Sequence, residues 1–196
     1  MEGKLIGYGR QGLALEVNPW VTKQTIESAL VYRGAFVAGW ANVETSLIEL
    51  AIRASLSDHY RSVRDAYPSK LKSRLAYLRK VFDTPGPLAS FSSIGKAVLN
   101  RFEKYEDFRN MMAHSRMTVM PHWGATFHFF KPKSDKEITY RTLRLTEAQL
   151  CWYAHRAAKF SRAVRRLMNR VDQANSLPPL KAGEADETEL TMPSRE

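Results

Sequence analysis

The segment Tyr105-Glu106-Asp107-Phe108-Arg109-Asn110-Met111-Met112-Ala113-His114-Ser115-Arg116 closes a helical pattern, and just beyond it the periodicity turns to alternation. Tyr105, Phe108 and Met112 recur at spacings of three and four, an apolar stripe on one side of a helix. Asp107, Asn110 and His114 recur at three and four as well and form a polar stripe. Arg109 stands about 140° around the helix from His114, at about 100° per residue. The two serve one site if Arg109 reaches round on its long side chain, if the helix frays near His114, or if a second copy of the helix completes the site.

Working back from this segment, the apolar stripe continues through Phe102, Val98, Ile94 and Phe91, so the spacing predicts one helix from about Leu88 to His114. Thr84-Pro85-Gly86-Pro87 is a firm breaker. Before it, Ser69 can cap a helix over Lys70–Asp83 with Leu71, Leu75, Leu78 and Phe82 inward. Arg61–Tyr67 reads as a shorter helical piece, stopped before Pro68. Asn18-Pro19 has the form of an N-cap followed by proline at the first helical position, and opens a long helix to about Leu56. Its seam is Phe36, Trp40, Val43, Leu47, Leu50 and Ala54, with Gly34 and Gly39 as places for a bend or a close helix contact. Residues 1–17 form an N-terminal extension whose apolar run, Leu13 to Val17, is too brief to assign.

Working forward, residues 117–130 and 137–145 are rich in Thr, Val, Phe and Tyr and flank Lys131-Pro132-Lys133-Ser134-Asp135-Lys136. This predicts a β-hairpin inserted at about 117–145. His122 and His128 show no metal-ligand spacing with His114 and read as hairpin residues. Thr146 with Gln149 is a capping box for a last helix to about Ala174, with Leu150, Tyr153, Ala157, Phe160, Val164, Leu167 and Val171 as its seam. Beyond Ser176 the composition turns to Pro, Ala, Gly, Glu and Thr, so residues 176–196 are expected to be a disordered tail. The expected fold is all-α: an antiparallel bundle of about four main helices over residues 18–175, with the inserted hairpin.

With 196 residues, 44% hydrophobic and 26% charged, the chain is most simply one domain with a full core. Cys151 is the sole cysteine, which excludes an internal disulfide framework and points to a reducing cytoplasm. It lies among apolar neighbours and is expected to be buried and inert. No signal-peptide run and no uncharged apolar stretch of membrane-spanning length stands out, so no membrane role is expected. The net charge of +10 favours anionic partners, nucleic acid first or an acidic protein.

Arg109-Asn110-Met111-Met112-Ala113-His114 has an Arg, a polar residue, three further residues and a His at the end of a predicted helix. With Glu44 on the long preceding helix, it resembles the signature of the HEPN superfamily, small helical domains many of which are metal-independent ribonucleases of toxin and defence systems. The resemblance covers roughly Pro19 to Ala174. It implies that Arg109, Asn110 and His114 are catalytic and that two protomers pair so that both motifs line one cleft. It also implies an RNA substrate, no cofactor and no metal, and an acidic antitoxin or a nucleotidyltransferase-type protein as restraining partner. Many relatives have lost activity, so a silent module binding nucleic acid or a protein is the rival expectation.

The residue types suit such chemistry. A base must take the proton of the 2′-hydroxyl, an acid must protonate the leaving 5′-oxygen, and donors must steady the phosphate. Histidine has an ordinary pKa near 6.5, suited to both proton steps. Arginine stays charged and donates two parallel bonds to a phosphate. Asn110 is placed to orient the imidazole or to donate to the phosphate. Glu44 borders the apolar seam, where a carboxylate needs a cation, and Arg109 is the natural candidate. Asp107 either orients His114 or makes a surface salt bridge, and Tyr105 is either core or a stacking platform. Lys159, Arg162, Arg166 and Arg170 form a basic stripe on the last helix that can track an RNA backbone, as can Arg61, Arg64, Lys70, Lys72 and Arg74.

Overall fold

The computed structural model describes residues 5–6, 15–17, 22–63, 67–120, 124–134 and 137–180, and the elements below are those of the described residues. Helix α1 (Lys23–Ser55) is the spine, with Phe36, Trp40, Val43, Leu47, Leu50 and Ala54 all buried along one side. Burying side chains of this size contributes about 1.5–3 kcal/mol each, so this seam dictates what packs on α1. Thr22 caps the helix, its hydroxyl accepting from the N–H of Thr25 at 3.2 Å. The start is therefore Lys23 rather than Pro19, and Asn18-Pro19 lies outside the described residues. By length and composition alone α1 is long and apolar enough to cross a membrane, contrary to the sequence expectation, but its apolar seam is taken up in the core.

A 3₁₀ turn, Asp58–Val63, replaces part of the expected helical piece at 61–67, and Tyr60 is its buried anchor, accepting from the N–H of Leu88 at 2.8 Å. Helix α2 (Leu71–Asp83) has Lys70 at its N-cap without a side-chain bond, so Ser69 is not the cap. A second 3₁₀ turn, Ala89–Phe91, leads into α3 (Ser92–Lys104). Helices α2 and α3 run antiparallel, with Arg79 paired to Glu103 at 2.6 Å and Gly95 beneath Phe82. A Cβ at position 95 would stand 2.2 Å from the Phe82 ring, so only glycine lets these helices approach so closely. Ile94, expected inward, is 44% exposed because Gly95 takes that face.

The predicted single helix over 88–114 is broken. At Tyr105 the backbone leaves the helix, its N–H bonding to Phe102 at 3.2 Å, and a second helix, α4 (Glu106–His114), begins. The turn brings Phe108 edge-on to Phe36, with centroids 5.2 Å apart, and onto Tyr153 at 4.3 Å.

Alternation after Ser115 gives more than the expected hairpin. The sheet has five strands in the order β1 (Leu5–Ile6), β2 (Leu15–Val17), β3 (Arg116–Met120), β4 (Gly124–Ser134) and β5 (Glu137–Leu145). β3, β4 and β5 form an antiparallel meander, with Met117 opposite Phe127 and Phe127 opposite Leu143. β2 lies parallel to β3, and β1 is antiparallel to β2. Met117, Val119, Ala125, Phe127 and Leu145 alternate inward and are buried.

Helix α5 (Glu147–Gln173) then begins at a complete capping box, Gln149 N–H to Thr146 Oγ1 at 3.2 Å and Thr146 N–H to Gln149 Oε1 at 2.9 Å. Its seam residues Leu150, Ala157, Phe160, Val164, Leu167 and Val171 are buried against α1 and Tyr153 is half-buried. Gly39 meets Ala157 and Arg53 meets Asp172 at 2.5 Å, so α1 and α5 run parallel rather than antiparallel. The meander causes this by carrying the chain back to the end of the molecule where α1 starts. The fold is mainly α with a small sheet. The expected tail from residue 176 instead begins packed on the helices: Leu177 is buried, and Arg53 donates to the carbonyls of Leu177 at 3.3 Å and Pro178 at 3.0 Å. Residues 181–196 lie outside the described residues.

Candidate functional site

The break at Tyr105 and the strand after Ser115 set the two ends of α4, and with them the motif. Arg109 lies on the side of α4 that meets α1. Its Nη2 makes an ion pair with Oε2 of Glu44, and both side chains are 23% exposed. Its Nη1 donates to Oδ1 of Asn110 at 2.8 Å. Asn110 therefore orients Arg109, and its expected role toward the imidazole is not seen. An ion pair at this depth is largely desolvated and tightly held by its bonds. Glu44 is the cation's partner that its place on the seam predicts.

His114 is the last residue of α4 and is exposed. No hydrogen bond to its ring is found among the described residues. Five residues and about 140° separate it from Arg109, and no hydrogen bond joins the two side chains among the described residues. Asp107 does not orient it either. Seven residues of helix are about 10 Å, beyond the reach of an aspartate, and Asp107 instead pairs on the surface with Arg141 of β5 at 3.5 Å. Tyr105 is half-buried with its ring 6.0 Å from Trp40, part of the core margin.

One residue central to the geometry escaped the sequence reading. Arg33 of α1 is 2% exposed. Its Nε donates to the carbonyl of Met112 at 2.7 Å, and its Nη2 to Ser115 at 2.7 Å and Ala113 at 3.4 Å. The last carbonyls of a helix lack intrahelical donors, so this guanidinium caps α4 on both sides of His114. Phe127 lies under it, 5.6 Å from ring centroid to Cζ. No carboxylate is bonded to it among the described residues, and Nη1 is buried without a partner. Burial lowers its pKa to about 10, still far above neutrality, so it remains a cation. The hydroxyl of Ser115 donates to Met111 and tightens the same turn.

The basic stripe is where the periodicity places it: Lys159, Arg162, Arg166 and Arg170 are exposed on α5. Of the second cluster, Arg61, Lys70 and Lys72 are exposed, Arg74 is half-buried and bonded to the carbonyls of Pro68 and Ser69, and Arg64 lies outside the described residues. Cys151 is half-buried rather than buried, its Sγ 3.4 Å from Nδ1 of His155, because the start of α5 faces a solvent-open cavity. His128 contacts the Tyr140 hydroxyl at 2.5 Å on the outer face of the sheet, and His122 lies outside the described residues. Among the described residues no three His, Cys, Asp or Glu side chains gather closely enough to hold a metal ion.

Comparison of the chain with protein-family models, with curated proteins and with solved structures finds no match.

Proposed function

We propose that the chain is a HEPN-type endoribonuclease of the toxin or defence class, cutting RNA by attack of the adjacent 2′-hydroxyl. The observation that carries the reading is the array Glu44–Arg109–Asn110, in which the acid of α1 and the asparagine of the motif clamp one guanidinium. A clamped guanidinium offers its remaining donors to a phosphate without the entropy cost of ordering a free arginine. His114, exposed at the helix end, is open to a substrate and serves as the general acid or base. Because about 140° of helix lies between Arg109 and His114, the working site is composite: two copies of α4 face one another in a homodimer, and each supplies what the other lacks. A chain with a net charge of +10 attracts RNA and is restrained by an acidic antitoxin or a nucleotidyltransferase-type partner.

A second reading, a silent module that binds nucleic acid or protein, draws on the same geometry. Arg109 is already satisfied by Glu44 and Asn110, and His114 has no orienting partner among the described residues. Product analysis separates the two. On incubation with a broad RNA panel in EDTA, the proposal requires fragments ending in a 2′,3′-cyclic phosphate and a 5′-hydroxyl. A folded dimer that binds these RNAs and leaves them all intact establishes the silent module instead.

A further inference from the structure

We infer that the half-exposed indole of Trp152, at the rim of a shallow cleft between α1, α3 and α5, stacks one unpaired nucleobase of a single-stranded RNA beside the Arg109 phosphate position, an inference that rests on the ribonuclease reading and names its substrate class. Trp152, Tyr105, Arg101 and Arg156 rim the cleft above Trp40 and Phe160, and its volume of about 10 Å³ holds about one water, so a base rests against the rim and not inside. Trp152 is 49% exposed, a large indole left half in water. The guanidinium of Arg156 lies 4.7 Å from its centroid, and that of Arg101 lies 5.0 Å from the ring of Phe160. Neither arginine is paired with a carboxylate among the described residues. An aromatic surface framed by two uncompensated cations matches a group that is flat, π-rich and attached to an anion. That describes a nucleotide, bound by stacking and by cation–π contact.

The cleft is placed for this use. Trp40 precedes Glu44 by one turn of α1, and Tyr105 precedes Arg109, whose N–H bonds to the Tyr105 carbonyl at 2.8 Å. Both helices thus separate the cleft from the Glu44–Arg109 pair by four residues, about 6 Å of helix. Along α5, Trp152, Lys159 and Arg166 stand seven residues apart, which keeps them within about 20° per step on one side of the helix. The basic stripe is therefore a track that leads to the exposed indole. A duplex hides the faces of its bases, so the strand that uses both track and cleft is single.

The test uses the wild-type chain and a short single-stranded RNA with 2′-O-methyl sugars, which cannot be cut by its own hydroxyl. Affinity is measured for the intact strand and for a series carrying one abasic ribose at successive positions. The expected result is a loss of about five- to a hundredfold at one abasic position, the scale of one stacked base. Trp152→Ala should lose as much on the intact strand and nothing further on the abasic one. Trp152→Phe should keep most of the affinity, which separates stacking from misfolding. If Trp152→Ala binds and cuts RNA as the wild type does, the base seat is wrong while the ribonuclease reading stands. If the wild type binds no RNA but binds polyglutamate through Trp152 and Arg156, the cleft belongs to an acidic protein and both fall.

Discussion

Replacing Arg33 by methionine probes the device that holds the end of the motif helix. The guanidinium makes two bonds of 2.7 Å to the carbonyls of Met112 and Ser115 and a longer one to Ala113. Hydrogen bonds to a charged group contribute about 1.5–3 kcal/mol each, so the two short ones amount to about 3–6 kcal/mol. Against this stands the cost of burying a cation whose Nη1 has no partner. Methionine fills much of the space above Phe127 but leaves both carbonyls without a donor. The net loss should be about 2–4 kcal/mol, a large part of a typical total of about 5–15. Arg33→Lys keeps the charge but has no fork to span the two carbonyls, and should lose about 1–2 kcal/mol. Urea unfolding should show a lower midpoint at unchanged slope. Native-state hydrogen exchange should show the last amides of α4 opening well before those of α5. A methionine variant within about 0.5 kcal/mol of wild type, the range of an ordinary surface change, would refute this account of Arg33.

Light scattering at high micromolar concentration should give a dimer; a strictly monomeric mass contradicts the composite site. Replacing Arg162, Arg166 and Arg170 by Gln should weaken RNA binding and flatten its dependence on log salt by about 0.7 for each phosphate no longer neutralised, leaving the rate at saturating RNA nearly unchanged. Burial holds the Tyr60 and Tyr77 phenols above their usual range, in Tyr77 helped by the charge of Tyr60. Their neutral forms are thus favoured by folding: the stabilisation is fully present below about pH 10, the ordinary tyrosine value, and is lost as pH rises through the raised folded values. Because the Tyr77 hydroxyl is buried without a partner, Tyr77→Phe should fold as well at pH 7 and lose stability less steeply in alkali.

Much of the architecture was legible because it is local. The α1 and α5 seams follow the 3.6-residue period, and the Thr146–Gln149 box depends on residues three apart. The break at Tyr105 was hidden because the apolar spacing runs through it unbroken, and only the contacts of Phe108 with Phe36 and Tyr153 show what α4 packs against. β1 and β2 span two and three residues, and β2 pairs with a strand about a hundred positions away, so no local pattern marks them. The parallel course of α1 and α5 likewise depends on how the meander returns the chain. At the site, the Glu44–Arg109 pairing followed from a carboxylate beside an apolar seam. Arg33 was missed because an arginine in an amphipathic helix is ordinarily solvated. Its position carried the signal: three residues before Phe36 and seven before Trp40, it sits in phase with the buried seam.

The central claim is that His114 moves a proton in a reaction whose nucleophile belongs to the RNA. Single-turnover cleavage in EDTA measures it, using one RNA with all its 2′-hydroxyls and another with a single 2′-deoxy at the scissile position. The wild type should cut the first and spare the second at that bond. His114→Ala should keep its fold, because that side chain lies outside the core, and should cut about 10²–10⁴ times more slowly. Equal cleavage of both substrates, or a His114→Ala variant as fast as the wild type, would contradict the account.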